Sequence, residues 1–219
     1  MQPTSPQLHQ GQPLLLAGAP LDQARAAMIM VHGRGATAQS ILWLSEDLQQ
    51  PDFAYLAPQA AGNTWYPHSF MHSISLNEPY LSSALKVVAE AIQRLNDAGF
   101  PHERIMLLGF SQGACLTVEF AARNARRYGG LVGLSGGLIG PDGTPRNYSG
   151  SLNGTPVFLG CSDVDAHIPK ARVVHTAEVL RLLDAEVTLR LYPNMGHTIN
   201  DDEIEFVRGM MSNVLLLEE

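Results

Sequence analysis

The stretch RIMLLGFSQGACLTVEFAAR, from Arg104 to Arg123, narrows the possible folds more than any other part of the chain. Its apolar run, Ile105 to Leu108, is short and bounded by breakers, which reads as a buried strand. From Gln112 to Arg123 apolar residues return at helical spacing. Between the two lies Gly109-Phe110-Ser111-Gln112-Gly113. A strand that becomes a helix within so few residues is the building unit of parallel α/β sheets, and it leaves Ser111 at the carboxyl edge, where such folds place their sites. Both glycines have a steric reason. In a nucleophile elbow, a side chain two residues to either side of the serine would collide with neighbouring backbone. The helix that follows aims its first N–H groups at an oxygen developing negative charge.

The rest of the chain alternates in the same way. Ala26–Val31, Ala54–Ala57, Leu131–Ser135, Pro156–Gly160 and Glu186–Tyr192 read as strands. Ser40–Leu48, Tyr80–Ala98, Pro169–Leu183 and Glu203–Leu217 have helical spacing. Strands alternating with helices imply a mostly parallel sheet covered on both faces. The 219 residues, 45% hydrophobic, suffice for one substantial core, so a single domain over 1–219 is expected, with 1–20 as a loose lead. Pro58 to Pro79 is a long loop carrying Asn63, Trp65 and Tyr66. Loops of that length in compact domains are usually functional or disordered; the aromatic content favours the former, and the choice of substrate is expected to reside there.

Charge excludes some partners. A net charge of −7 and the absence of any Lys/Arg run argue against a nucleic-acid surface. No segment approaches 18 uninterrupted apolar residues, so no membrane span is expected, and MQPTSPQLHQGQP lacks the basic and apolar regions of a signal peptide. Cys115 and Cys161 form neither a disulfide framework nor a zinc site, which points to a reducing cytoplasm. Cys115, four residues after Ser111, reads as a packing residue, and the spacing of His167, His175 and the aspartates matches no familiar metal site.

A serine hydroxyl is a weak nucleophile, so an active one needs a histidine base and an acid to orient it. In this type of fold they follow in the order Ser, Asp, His. Pro193-Asn194-Met195-Gly196-His197 comes after the last strand and before the last helix, which puts His197 over the same sheet edge. The acid lies in Gly160-Cys161-Ser162-Asp163-Val164-Asp165-Ala166-His167-Ile168-Pro169. Asp163, three residues past the strand-ending glycine, is preferred; Asp165, four before Pro169, is the alternative, otherwise a turn or cap residue. The oxyanion donors expected are the N–H of Gln112, following the nucleophile, and the N–H of Arg34 in His32-Gly33-Arg34-Gly35, at the end of the first strong strand.

These residues resemble the phospholipase/carboxylesterase family of α/β-hydrolases, which includes the acyl-protein thioesterases. The resemblance rests on VHGRGA (31–36), APQAAGNTWYP (57–67), ERIMLLGFSQGAC (103–115), YGGLVGLSGGL (128–138), DVDAHIP (163–169) and PNMGHTIN (193–200). It implies an α/β-hydrolase fold and a serine hydrolase of carboxylic esters or thioesters needing no metal or organic cofactor. Ser111 matches the nucleophile, His197 the base, and Arg34 and Gln112 the backbone donors. Trp65 falls where the family has an aromatic near the acyl-binding face. In the acid loop the glycine spacing selects Asp163 and the proline spacing selects Asp165. Members often pair near the sheet edge, so the resemblance admits a homodimer. Rival readings are a dienelactone-hydrolase-like or acyl-transfer activity, and a noncatalytic binding protein on the same fold.

Overall fold

Strand β2 (Ala26–Val31) is buried along its whole length, and its two-residue alternation divides it between two cores. Ala27, Ile29 and Val31 face one; Ala26, Met28 and Met30 face the other. β4 (Ile105–Phe110) repeats the division, with Ile105 and Leu107 opposite Met106 and Leu108. Strands that are apolar on both faces must be covered on both, the condition of a parallel sheet between two helical layers.

The computed structural model describes residues 8–217. The other strands are β1 (Leu14–Gly18), β3 (Phe53–Pro58), β5 (Gly130–Leu134), β6 (Pro156–Ser162) and β7 (Glu186–Tyr192), and the sheet runs in the order β1-β3-β2-β4-β5-β6-β7. Among the described residues the β1–β3 pair alone is antiparallel. Helices α4 (Tyr80–Asp97), α5 (Gln112–Arg123) and α6 (Lys170–Leu182) cover one face. The other is covered by α1 (Ala38–Leu42), α2 (Leu44–Leu48) and α7 (Asp201–Leu215). On α4, Leu81, Val88 and Leu95 keep no surface in solvent, and each contributes about 2 kcal/mol by area removed from water.

The structure departs from the sequence reading in four places. Leu14–Gly18, read as part of a loose lead, pairs with β3 from Leu14 opposite Pro58 to Gly18 opposite Ala54. Its edge position leaves Leu16 half exposed, so no clear alternation marks it. The helical span 40–48 breaks at Trp43 into α1 and α2; Thr37 and Ser40 form a capping box at the start of α1. The loop 58–79 contains a 3₁₀ turn, Ala61–Asn63, and a short helix α3, Ile74–Asn77. Strand β6 continues two residues beyond Gly160, to Ser162, and this extension moves the acid.

Candidate active site

Ser111 joins β4 to α5 with φ 55° and ψ −119°, a left-handed conformation that costs a non-glycine residue about 1–3 kcal/mol. Its N–H donates to Leu134 O at 2.9 Å, and its carbonyl accepts from Cys115 N–H at 3.0 Å, so both sides of the bend are held. The flanking glycines are dictated by close backbone. A Cβ on Gly109 would lie 2.5 Å from Ala114 N, and one on Gly113 would lie 2.6 Å from His32 O, with the Val31 carbonyl closer still.

The hydroxyl meets imidazole: Ser111 Oγ is 2.9 Å from His197 Nε2. On the far side of the ring, His197 Nδ1 lies 2.7 Å from Asp165 Oδ2, whose side chain is fully buried. Asp165 Oδ1 also accepts the N–H groups of His167 (2.8 Å) and Ile168 (3.0 Å). Burial works to raise this carboxyl, but the His197 bond and the two amide bonds outweigh it and hold it below the usual carboxylate range.

The preference for Asp163 is therefore corrected. Asp163 Oδ1 accepts Asn194 N–H at 2.8 Å and does not reach His197. The expectation counted three residues from Gly160 as the strand end. With β6 ending at Ser162, the residue three past the end is Asp165. Asp163 has a supporting place instead: its own N–H donates to Tyr192 O at 3.1 Å, and Ser162 Oγ donates to Met195 O, so β6 grips the turn that delivers His197.

Neither the Arg34 nor the Gln112 backbone N–H, the two expected oxyanion donors, is taken by an acceptor among the described residues. Their side chains do something the sequence did not disclose. The Arg34 guanidinium donates to the carbonyls of Tyr66, Pro67 and His68 at 2.8–2.9 Å. Gln112 accepts Trp65 N–H at 2.9 Å and donates to Tyr66 O at 2.8 Å. Both side chains thus brace the loop at residues 65–68.

Trp65 does not line the site, contrary to the expected acyl-face role. Its side chain is fully buried, its indole N–H donates to His32 O at 2.8 Å, and its ring lies 5.0 Å from the His32 ring. His32 is itself buried: Nδ1–H donates to Gly33 O (2.8 Å) and Nε2 accepts Ala60 N–H (3.1 Å). His9 grips the same loop, with Nδ1 accepting Ala61 N–H (3.1 Å) and Nε2–H donating to Trp65 O (2.9 Å). Burial lowers the pKa of both rings, in keeping with neutral imidazoles that each give one bond and take one. The walls around Ser111 and His197 come from Tyr66, Pro67, Phe70, Cys115, His167 and Ile168, enclosing about 440 Å³. Cys115 packs beneath this cavity, and burial pushes its thiol up to about 12.

Three residues beyond the His197–Asn200 turn, Glu203 completes a capping box on α7: Asn200 Oδ1 accepts Glu203 N–H and Glu203 Oε2 accepts Asn200 N–H, both at 2.9 Å. Its Oε1 is buried without a partner and presses on Gly160, where a Cβ would collide with the carboxyl. Burial raises this carboxyl to about 7. A carboxyl raised on folding binds protons more tightly in the native state, so its cost to stability grows as pH climbs from the unfolded value toward 7 and is full above it. Glu203→Gln keeps a side chain able to serve the capping box. It is expected to stabilise the fold by about 2 kcal/mol at pH 8, a gain that fades toward pH 5. Thermal unfolding at both pH values checks this, and an equal effect at the two would show that ionisation is not the cause.

A profile of the phospholipase/carboxylesterase family matches residues 17–215. Acyl-protein thioesterase 1 of Eremothecium gossypii is 28% identical over 215 residues, covering 85% of this chain and 88% of that protein. Acyl-protein thioesterase 1 of Saccharomyces cerevisiae is 28% identical over 227 residues, covering 92% and 98%. Among solved structures, a phospholipase/carboxylesterase from Dyadobacter fermentans superposes with a TM-score of 0.88 at 42% identity, covering 92% of this chain and 96% of that one.

Proposed function

Because the chain belongs to the phospholipase/carboxylesterase family and is a serine hydrolase of esters or thioesters, we propose that Ser111, His197 and Asp165 are its catalytic triad, in one α/β-hydrolase domain. The observation that carries this reading is the unbroken line Asp165–His197–Ser111, at 2.7 and 2.9 Å. Asp165 accepts Nδ1–H and so leaves Nε2 free to take the hydroxyl proton.

The steps follow from the atoms in place. As Ser111 Oγ bonds to the acyl carbon, its proton moves to His197 Nε2. The carbonyl electrons become an oxyanion held by the N–H groups of Arg34 and Gln112. Collapse breaks the bond to the leaving oxygen or sulfur, which departs with the proton from Nε2. Water, deprotonated by the same nitrogen, then attacks the acyl-enzyme, and Ser111 regains its proton as the carboxylic acid leaves. The names of the curated relatives support thioesters beside oxygen esters as substrates. To the same reading belong a reducing, cytoplasmic setting, supported by two buried free cysteines, and the homodimer that the family resemblance admits.

The test is labelling with a fluorophosphonate and turnover of a short p-nitrophenyl ester. The wild type is expected to carry one label, on Ser111. Ser111→Ala should lose label and turnover together, by at least about 10³-fold, with an unchanged circular dichroism spectrum. Undiminished turnover in that variant would remove the serine from the mechanism.

A further inference from the structure

The catalytic imidazole lies between two aromatic rings, and each lines a different cavity. His167 stands edge-on to His197 at 4.8 Å on the side of the 440 Å³ cavity. Phe110 lies 5.0 Å from the same ring and borders a second cavity of about 400 Å³, which the triad reading does not use. Gly33, Ala36, Ile41, Trp43, Leu44 and Ile199 form the rest of its apolar wall. The inner end of the groove, at Gly33 and Phe110, adjoins the nucleophile's residue: a Cβ on Gly33 would lie 3.3 Å from Ser111 Cβ and 3.5 Å from Phe110 Cδ1. At its other end Trp43 is 62% exposed, a large apolar surface left in water beside a reaction centre.

We propose that this second groove binds the leaving group, and that it selects an alkyl or aryl alcohol or thiol without negative charge. The inference rests on Ser111 being the nucleophile. An ester diverges in two directions from its carbonyl carbon, so a site that binds both halves needs two channels meeting at the serine. The half that stays attached as the acyl-enzyme belongs in the cavity walled by Ser111, Gln112 and His197 themselves. The departing half must pass beside the imidazole that protonates it and then be free to leave, which the Phe110 groove allows. Its chemistry is apolar. Of its two ionisable side chains, His32 is buried with both ring nitrogens engaged, and Asp47 at the rim is a carboxylate that disfavours an anionic tail.

Two ester series separate the channels: acetates of alcohols from ethanol to hexanol, and ethyl esters of acids from acetic to hexanoic. In the wild type, kcat/KM is expected to rise about fourfold for each early methylene added to the alcohol. In Trp43→Ala the ratio of hexyl to ethyl acetate should fall about tenfold, while the ratio of ethyl hexanoate to ethyl acetate holds within about twofold; Trp43→Phe should keep most of the alcohol preference. Because Trp43 is largely exposed, its loss leaves the core packing in place. A flat alcohol series in wild-type enzyme that still labels at Ser111, or a Trp43→Ala effect on the acyl series instead, overturns the groove assignment alone. Failure of the wild type to label overturns the triad reading beneath it.

Discussion

Asp165→Asn is expected to lower kcat for a short p-nitrophenyl ester by about 10⁴-fold, and Asp163→Asn by less than about tenfold. The asymmetry follows from what each carboxylate holds. Asp165, with its side chain fully buried, takes the Nδ1 proton of His197 and two backbone N–H groups. An amide in its place can turn an N–H toward the ring and trap the imidazole in the tautomer that cannot accept the serine proton. Asp163 accepts a single amide, from Asn194, and an asparagine carbonyl can do the same. Steady-state kinetics of the two variants decide the matter, and the reverse ranking would return the acid's role to Asp163.

The second large effect concerns backbone clearance. Gly113→Ala is expected to cost more than about 3 kcal/mol of stability and at least about 10²-fold in kcat, because the new methyl meets the carbonyls of Val31 and His32, main-chain atoms that no rotamer can move. Relief requires β2 to retreat, and the Arg34 amide follows directly from that strand. Gly209→Ala is the matched control. It lies in α7 with open space around the added carbon, and it should stabilise the fold by about 0.5–1 kcal/mol with normal turnover. Urea unfolding and ester hydrolysis on both variants test the contrast. Equal stability of the two would mean that the elbow has room that its geometry denies.

How much could be read from residues alone depended on the range of the interaction. Ser111 and His197 sit at junctions that local pattern marks well: an apolar run, a glycine break and a resumed helical period. The structure brings these two side chains together. The choice between Asp163 and Asp165 turned on a strand end. Glycine served as a stop signal there, yet Gly160 lies inside β6 because the Glu203 carboxyl leaves no room for a side chain. Such a reason belongs to tertiary packing and leaves no local trace. Trp65 was misplaced for a related cause. An aromatic in a long loop can face a ligand or pin the loop down, and only the bond from its indole to His32 O distinguishes the two. The brace from Arg34 and Gln112 to residues 65–68 spans more than thirty positions in sequence, beyond any periodicity. Strand β1 escaped notice because an edge strand with one flank in water needs no regular alternation.

His9 gives the amino-terminal stretch a hold on the loop that follows β3. Its ring ties Ala61 to Trp65, while Ser83 Oγ receives the N–H groups of Leu8 and His9 at 3.0 and 3.1 Å, mooring that ring to α4. A chain shortened to begin at β1 would keep every described strand together with Ser111, His197 and Asp165, yet lose the cord that ties Ala61 to Trp65 in the loop leading to Tyr66 and Pro67. Amino-terminal trimming is thus expected to loosen a loop more than fifty positions away in sequence, before it touches any strand of the sheet.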